Sequence, residues 1–506
     1  MAYPTTLPAP GVTVAFRDGV RLAVTGTSLD VSDGDRPILL RLDGGDLSAA
    51  LRRLAAGPVP LAELTGVLST ADRSALHRVL DRLARFVVRS VRVDGRDLVR
   101  IEHTAAGHEH RAVVVDPEVP VRLSRFALCR RRNGALVLES PLAKVRVLLV
   151  DPAARGVVAA LGDQVTAADL AARAEAGGLG ADRVAVLLGH LVGAGLAETA
   201  GQDGAFAADA DPVLRQWDFH DLLFHSRIRA GRYDDPLGGL FPYVGSIDPL
   251  PAVKTPPDGP SVPLFRPDLD EVLAGDPRLT VALEGRRTFR QYAAEPITLR
   301  QLGEFLYRVA RVRVRRPGGQ GRDVELLSKP YPTGGAAYEL ELYLTVRRCA
   351  GLAPGIYYHD PVGHRLVLVN DDPDDRVALL RGAARATGDE ADPDLLITMT
   401  ARFQRVSWKY QGMAYATTLR HTGVLYQTMY LVATAMGLAP CGIGIGDADL
   451  SARAFGLDYL RESSVGDFLL GSRPPGNPPS WQEADGWHML NDPAWAVWAG
   501  ERLRAD

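Results

Sequence analysis

Lys329–Leu344 reads KPYPTGGAAYELELYL, and its reading decides the fold of the larger part of the chain. The second half, continued as ELELYLTVRR over residues 339–348, is an apolar, β-prone run and predicts a strand. The first half places Pro332, Thr333, Gly334 and Gly335 directly before that strand. Two residues without a Cβ let backbone approach a flat ligand where a side chain would collide; a plain turn uses the same residues. Upstream, Leu302, Phe305, Leu306 and Val309 fall at helical spacing. Downstream come a hairpin-like IYYHDPVGHRLVLV (356–369), a strand LLITMT (395–400) and a long helix ending at Gly437. Mixed helices and strands in this order predict an α+β domain.

The chain has 506 residues, which is too many for one ordinary core and suggests three units. Its first 200 residues show a weak duplication. Leu76, Val79, Leu80 and Leu83 make one apolar helical stripe, and Val184, Leu187, Leu188 and Leu191 repeat it. Each is preceded by a shorter helical stretch, Leu61–Leu68 and Ala167–Ala176. Asp94-Gly95 and Asn133-Gly134 each sit between β-prone runs and predict hairpins. Helix, turn, helix and hairpin spell a winged helix-turn-helix, expected twice. The expected domains are therefore a winged helix at 1–115, a second at 116–212, and an α+β domain at 213–506. The Pro- and Asp-rich stretch 245–280 reads as an extended connector wrapping the third domain. The tail beyond Pro474 carries Trp481, Trp487, Trp495 and Trp498 and should pack on something, a partner subunit being one choice.

Composition narrows the function classes. A net charge of −3 gives no global attraction to nucleic acid or anionic membrane. The first candidate recognition helix carries Arg73, Arg78, Arg82 and Arg85, but the second has only Arg183 and His190, so DNA reading is the weaker expectation. A peptide added as a strand to the wing edge fits better. The apolar stretch Val424–Leu438 is broken by Gln427, Thr428 and Thr434 and falls short of the ~20 residues of a membrane span, so it reads as a buried helix. Cys129, Cys349 and Cys441 are far apart and show no metal spacing. They are expected to be small buried hydrophobes in a reducing, cytoplasmic setting, and no signal peptide is evident at the start.

Four segments could carry chemistry. In GRRTFRQY, Arg286, Arg287 and Arg290 surround Thr288 and could close on one phosphate; a solvated basic helix start would look the same. The Gly334-Gly335 turn is the second. In APCGIGIGD, Gly442, Gly444 and Gly446 alternate after a helix, which is no dinucleotide fingerprint but permits close approach to a ring. In VSWKYQGMAYATTLRH, Lys409 and Tyr410 are adjacent, and a partly buried Lys beside a Tyr can serve proton transfer; a surface Lys next to a packing Tyr is the plainer alternative.

Taken in this order, the segments WDFHDLLFHSRIR, GRRTFR, KPYPTGGAAYELELYL, PGIYYHDPVGHRLVLV, SWKYQGMAY and MGLAPCGIGIGD resemble the SagB-type (McbC- and ThcOx-like) dehydrogenases, a branch of the nitroreductase fold. The resemblance covers residues 217–473. It implies FMN at the interface of a homodimer. It further implies that Arg286, Arg287, Thr288 and Arg290 hold the flavin phosphate and ribityl chain, and that Pro332, Thr333, Gly334 and Gly335 run along the isoalloxazine. Gly442, Ile443 and Gly444 would face its other side, and Arg473 matches a phosphate-holding position. Lys409 and Tyr410 match the pair regarded as catalytic in azoline dehydrogenases, with Tyr410 the expected base and Lys409 lowering its pKa, or the reverse. The sequence departs where Thr333 replaces the usual Ser and Glu339 the usual Pro.

The implied reaction is oxidation of thiazoline or oxazoline rings to azoles in a ribosomally made precursor peptide, with oxygen as final acceptor and no metal. The front winged helices would hold the peptide leader, and the azoline-forming cyclodehydratase is a possible partner. The alternatives are an NAD(P)H-dependent nitro- or enone-reductase and a flavin-free scaffold that only delivers the peptide.

Overall fold

A computed structural model describes residues 3–4, 6, 11–32, 38–41, 45–105, 108, 110–233, 235–389, 391–475 and 493–505. The chain divides into two compact units, Met1–Leu237 and Gly238–Asp506.

The first unit is built by repetition. Strand β1 (Gly11–Phe16) leads into a meander, β2 (Arg21–Thr25), β3 (Ser28–Ser32) and β4 (Ile38–Arg41). Helix α1 (Gly45–Ala56), short strand β5 (Val59–Pro60), helices α2 (Leu61–Gly66) and α3 (Thr70–Arg82) and strand β6 (Val87–Val93) follow. After β7 (Arg96–His103) the series begins again with β8 (Pro120–Leu123) and a second meander, β9 (Leu128–Arg132), β10 (Ala135–Glu139) and β11 (Val145–Leu149). Then come α4 (Pro152–Ala160), β12 (Val165–Thr166), α5 (Ala167–Ala176), α6 (Ala181–Gly193) and β13 (Ala197–Thr199). In each round the first strand lies between the short strand and the last, giving the orders β5-β1-β6 and β12-β8-β13. The repeat is thus wider than the two helical stripes suggest.

Both predicted hairpins form, with left-handed φ at both turn residues: 48° and 76° at Asp94-Gly95, 47° and 79° at Asn133-Gly134. That is the geometry a two-residue turn needs to match strand twist. Their places in the repeat differ, however. Asp94-Gly95 joins β6 to β7 after the helix pair, whereas Asn133-Gly134 joins β9 to β10 before the second pair, so it is no wing of that pair. The turn residues fix a local bend and say nothing of its position in the order. Strand β7 pairs with β11 from His103↔Val145 to Val99↔Leu149, so one sheet, β5-β1-β6-β7-β11-β10-β9, runs through both repeats. Helices α7 (Ala207–Ala210) and α8 (Phe219–Arg227) close the unit. It extends to Leu237 because the segment after α8 is tied back to the sheet: Arg132 donates to both Asp235 oxygens at 2.7 and 2.9 Å, and Tyr233 Oη to Glu139 at 2.9 Å.

The second unit has the α+β fold expected. The proline-rich connector supplies β14 (Ser261–Pro263), then α9 (Leu269–Gly275) and α10 (Leu279–Gly285). β14 adds to the sheet as an edge strand, where Pro263 costs no ladder bond. Helix α11 (Leu299–Ala310) opens on a capping box between Thr298 and Gln301. The small hairpin β15 (Val314–Arg316) and β16 (Leu326–Ser328) precedes β17 (Leu340–Val346), β18 (Gly355–Asp360) and β19 (Arg365–Asn370). The chain continues as α12 (Pro373–Arg385), β20 (Leu395–Arg402), α13 (Gln404–Ser407), α14 (Ala414–Ala435), β21 (Leu438–Ile443), α15 (Ala448–Phe455), β22 (Glu462–Ser472) and α16 (Pro493–Ala505). The antiparallel order is β14-β19-β18-β17-β20-β22-β21. Every residue of β17 is buried, because helices cover both faces. Leu340, Leu342 and Leu344 join a core with Phe305, Leu306, Leu425 and Met429 of α11 and α14, while Tyr343 faces the other core with Leu379 and Phe455.

Among the described residues no helix is long and apolar enough to cross a membrane. Cys349 and Cys441 are buried, but Cys129 is exposed on the edge strand β9, against expectation. Trp481 and Trp487 lie outside the described residues. Trp495 and Trp498 sit on α16, which packs on α10, and both remain largely exposed.

Candidate active site

Helix α14 holds the loops that matter. Its apolar side joins the core, but His421, Tyr426 and Tyr430 reach from it to three separate segments. Tyr430 Oη accepts the Gly442 N–H at 2.7 Å and lies 3.0 Å from Thr288 Oγ1. The Arg286 guanidinium lies 5.3 Å from the centre of the same ring. Tyr426 Oη donates to the Ile443 carbonyl and accepts the Asp467 N–H, each at 2.8 Å. The arginine segment docks beside β21, with Phe289 N–H donating to Pro440 O at 2.9 Å. It follows the carboxyl end of α10, so it is not the basic helix start that its sequence also allowed. Cations are favoured at that helix end. Arg286 and Arg287 are half-buried, while Thr288 and Arg290 are exposed. Arg473 places its guanidinium 5.3 Å from the Phe289 ring centre, beside the same segment. Around Gly444 a Cβ would meet open space.

The second cluster gathers at the glycine turn. Gly334 N–H donates to His421 Nε2 at 2.6 Å, and His421 Nδ1 lies 2.7 Å from Glu339 Oε1. Gly335, Ala336 and Tyr338 have φ of 60°, 53° and 45°. Left-handed backbone at Ala and Tyr is costly, and such strain gathers at functional sites. Thr333 Oγ1 accepts the Tyr338 N–H at 3.3 Å within the turn, and Pro332 is exposed. Lys409 Nζ donates to Gly335 O at 3.3 Å. A Cβ on Gly335 would fall 2.6 Å from Tyr410 Oη and would also strike Lys409 Nζ. Both members of the Lys-Tyr pair therefore converge on one glycine.

Residues 238–241 hold the pair from the other side. Gly238 and Gln411 exchange backbone bonds at 3.1 and 2.9 Å, and Phe241 N–H donates to Lys409 O at 3.0 Å with φ at 54°. Burial lowers the Lys409 pKa, helped by the charge of Arg405; burial raises that of Tyr410. Arg405 is itself buried and donates to the carbonyls of Ala337, Leu250 and Glu325. Lysine is scarce here: Lys144, Lys254, Lys329 and Lys409 are the whole complement among 58 basic residues. An ammonium whose pKa can fall has uses a guanidinium lacks.

The structure thus joins Arg286, Thr288, Gly442 and Ile443 in one cluster and Gly334, Gly335, Lys409 and Tyr410 in another. His421 and Tyr430, which hold them, are nine positions apart on α14, about 14 Å along its axis. Sequence reading overlooked His421, Tyr426 and Tyr430. The available signal was His421, Tyr426 and Tyr430, five and four positions apart on one helix.

Residues 121–234 match the family described as cyanobactin oxidase ThcOx, and residues 283–471 match the nitroreductase family. The second unit carries a nitroreductase-family domain. The two matches bear out the resemblance to the SagB-type, ThcOx-like branch: the chain joins a ThcOx-type segment to a nitroreductase-family oxidoreductase domain. A protein of Methanocaldococcus jannaschii described as a nitroreductase is 27% identical over 186 residues, covering 37% of this chain and 85% of its own. A solved nitroreductase-like protein of Ralstonia eutropha is 20% identical, spans 48% of this chain and 100% of its own, and superposes with a TM-score of 0.34. A chain of the E. coli microcin synthetase McbBCD, solved with truncated pro-MccB17 bound, is 20% identical over 38% of this chain and 71% of its own, with a TM-score of 0.30.

Proposed function

We propose that this nitroreductase-family domain binds FMN and oxidises thiazoline or oxazoline rings of a precursor peptide to azoles. The observation that carries the reading is the convergence of Lys409 Nζ and Tyr410 Oη on Gly335. The residues present fit the flavin. Gly335 is exposed, and Gly444 borders open space. Arg286, Arg287, Thr288 and Arg290, with Arg473 beside them, would hold the phosphate and ribityl chain. Pro332–Gly335 and Gly442–Gly444 would hold the ring.

FMN, when bound, supplies the hydride acceptor. Lys409 supplies the base. Its lowered pKa favours the free amine, the form that takes the acidic Cα proton of the azoline while Cβ loses hydride and the ring becomes aromatic. Tyr410, with its pKa raised, keeps its phenol proton at Oη and orients the ring by donating a hydrogen bond. Arg405 stays a cation and helps keep Lys409 neutral.

The first unit would hold the peptide leader. In each repeat a helix, short strand, two helices and a strand follow the order of a winged helix, and β6–β7 forms the wing of the first. Strand addition there would give affinity through main-chain bonds. A homodimer is part of the proposal: Leu269, Leu273, Leu279 and Leu283 are exposed at i, i+4 spacing on α9 and α10, which suits a buried subunit contact. The cytoplasm and a cyclodehydratase partner complete it.

The deciding experiment is to load the protein with FMN and supply an azoline-bearing peptide. Loss of two mass units per ring, with oxygen consumed, is expected. Absence of FMN uptake, or turnover of NAD(P)H with nitro compounds and none with the azoline, overturns the reading.

A further inference from the structure

Glu339 is fully buried, and one of its carboxylate oxygens, Oε2, has no hydrogen-bond partner. Burying a carboxylate this way is expensive unless its partner repays it. Its other oxygen lies 2.7 Å from His421 Nδ1. On the other side of the ring, Nε2 lies 2.6 Å from the Gly334 amide nitrogen, whose hydrogen points at it. A backbone N–H only donates, so Nε2 must carry the lone pair. The imidazole is then protonated at Nδ1, which is the donor that the carboxylate can accept. Geometry alone therefore fixes the tautomer.

The consequence runs onward along the backbone. With the Gly334 amide committed to His421, the preceding peptide plane is set. Gly335 then turns left-handed at φ 60° and aims its carbonyl at Lys409 Nζ, 3.3 Å away. A Cβ on Gly334 would come within 3.3 Å of both His421 Nε2 and Thr417 Cγ2, so the ring is pressed against the turn. One series of bonds joins Glu339, His421, Gly334, Gly335 and Lys409.

We propose that Glu339 and His421 are positioning residues that lock the glycine turn and, through the Gly335 carbonyl, hold the Lys409 amine in place. The proposal builds on the reading of Lys409 as the base, but its geometry stands without flavin or substrate.

The test follows from side-chain length. Glutamine at 421 can set a carbonyl oxygen near the place of Nε2 and still accept from Gly334. Asparagine reaches only the place of Nδ1, keeps Glu339 and abandons the turn. Lys409 reactivity is then read in the flavin-free protein by trace labelling with acetic anhydride and peptide mass spectrometry. Lys144, Lys254 and Lys329 serve as internal references, and buried Lys329 reports folding. His421→Asn should raise Lys409 labelling about five-fold, the factor expected for losing one ordinary hydrogen bond, with the other lysines unchanged. His421→Gln should restore the wild-type rate. In the FMN-loaded enzyme the same pair should split on kcat with KM little changed.

Equal labelling of Lys409 in wild type, His421→Gln and His421→Asn overturns the proposal. If His421→Asn fails to fold, all four lysines rise together, and Glu339→Gln then decides. Its amide can donate as well as accept, which frees the imidazole tautomer, so Lys409 labelling should rise about two-fold; no rise overturns the proposal. A wild type that ignores azolines would sink the proposed reaction while leaving the labelling result to speak for the dyad.

Discussion

The phenol oxygen of Tyr430 accepts the Gly442 amide at 2.7 Å. That one bond ties strand β21 to the helix, and through the 3.0 Å contact with Thr288 it reaches the arginine segment as well. The two segments assigned to the two ends of a flavin are therefore set by the same side chain.

Tyr430→Phe removes that link with little change in volume. The Gly442 N–H would lose its partner, at a cost of about 1–3 kcal/mol. FMN affinity should fall roughly ten-fold, the equivalent of about 1.4 kcal/mol, and the melting temperature should drop even without flavin. Arg286→Ala, which removes a charged clamp worth roughly 1.5–3 kcal/mol, should weaken FMN at least as much yet leave the flavin-free protein as stable as wild type. Titration of both variants with FMN, alongside melting curves, separates the two. Equal affinity in Tyr430→Phe and wild type would show that the end of β21 is held by something else.

Lys409→Ala should keep FMN and lose most turnover, since a positioned general base contributes ~100- to 10,000-fold; Tyr410→Phe should keep FMN and lose only what one orienting hydrogen bond supplies, about 1 kcal/mol or roughly five-fold. The pH profile has a definite sign. A base works when deprotonated, so kcat/KM should rise with pH through the Lys409 pKa and level off. Burial and Arg405 lower that pKa, so the plateau should come below the ordinary lysine range of about 10.4. Tyr410 is shifted up by burial and should add no falling limb in the neutral range. Arg405→Gln should move the rising limb to higher pH. A profile flat from pH 6 to 9 in wild type would place the base elsewhere.

The first unit should be acid-labile. Burial pushes His103 and His190 down to about 4 and His110 to about 3. His110 Nε2 lies 3.0 Å from His190 Nδ1, and Arg89, Arg17 and His108 add to the pressure on His103. Unfolded, these rings titrate near 6.5. Between that value and the folded one, the unfolded state binds more protons, so stability rises with pH. It is complete above about pH 6.5 and is lost as pH falls towards 4, by on the order of 3 kcal/mol for a shift of this size in one group. The His103 ring is buried, so His103→Leu should flatten the dependence. Urea unfolding at pH 7 and 4.5 gives the measurement. A midpoint unchanged between the two would mean these rings are not buried neutral in solution.

What the sequence disclosed, and what it hid, follows from distance along the chain. The strand at Leu340–Val346 and the helix at Leu299–Ala310 were legible because their signals are local: an apolar run and a 3.6-residue stripe. The Gly334-Gly335 turn and the Lys409-Tyr410 pair were legible as motifs, yet nothing local says that they meet. His421 stayed hidden because its partner Gly334 is 87 residues away, and Tyr430 because Thr288 is 142 away. Glu339 was visible only as a departure from the related pattern. Its meaning needed the imidazole beside it. In the connector, the prolines hid β14, since proline at an edge reads like proline in a loop.

The last prediction concerns the first unit, which should recognise a peptide leader and not DNA. A DNA-reading helix needs an exposed face to enter the groove. In the second repeat, α6 buries Val184, Ala185, Val186, Leu187, Leu188, Gly189, His190 and Leu191, so no such face exists. In the first repeat, α3 is more exposed, but Arg73 spends its Nε on the Leu68 carbonyl at 3.0 Å, and Asp72 and Asp81 stand among its arginines. What the unit does offer is strand edges, which bind extended peptide through main-chain bonds and pockets for alternate side chains. Removing the leader from an azoline peptide should therefore raise KM at least ten-fold, about 1.4 kcal/mol, and leave kcat nearly unchanged, because the leader contacts no reacting atom. Free leader peptide should compete with full-length substrate, and the competition should persist at high salt. DNA binding driven by phosphate contacts would instead weaken steeply with salt. Identical KM with and without the leader, or tight salt-sensitive DNA binding by the full chain, would remove the leader-binding role.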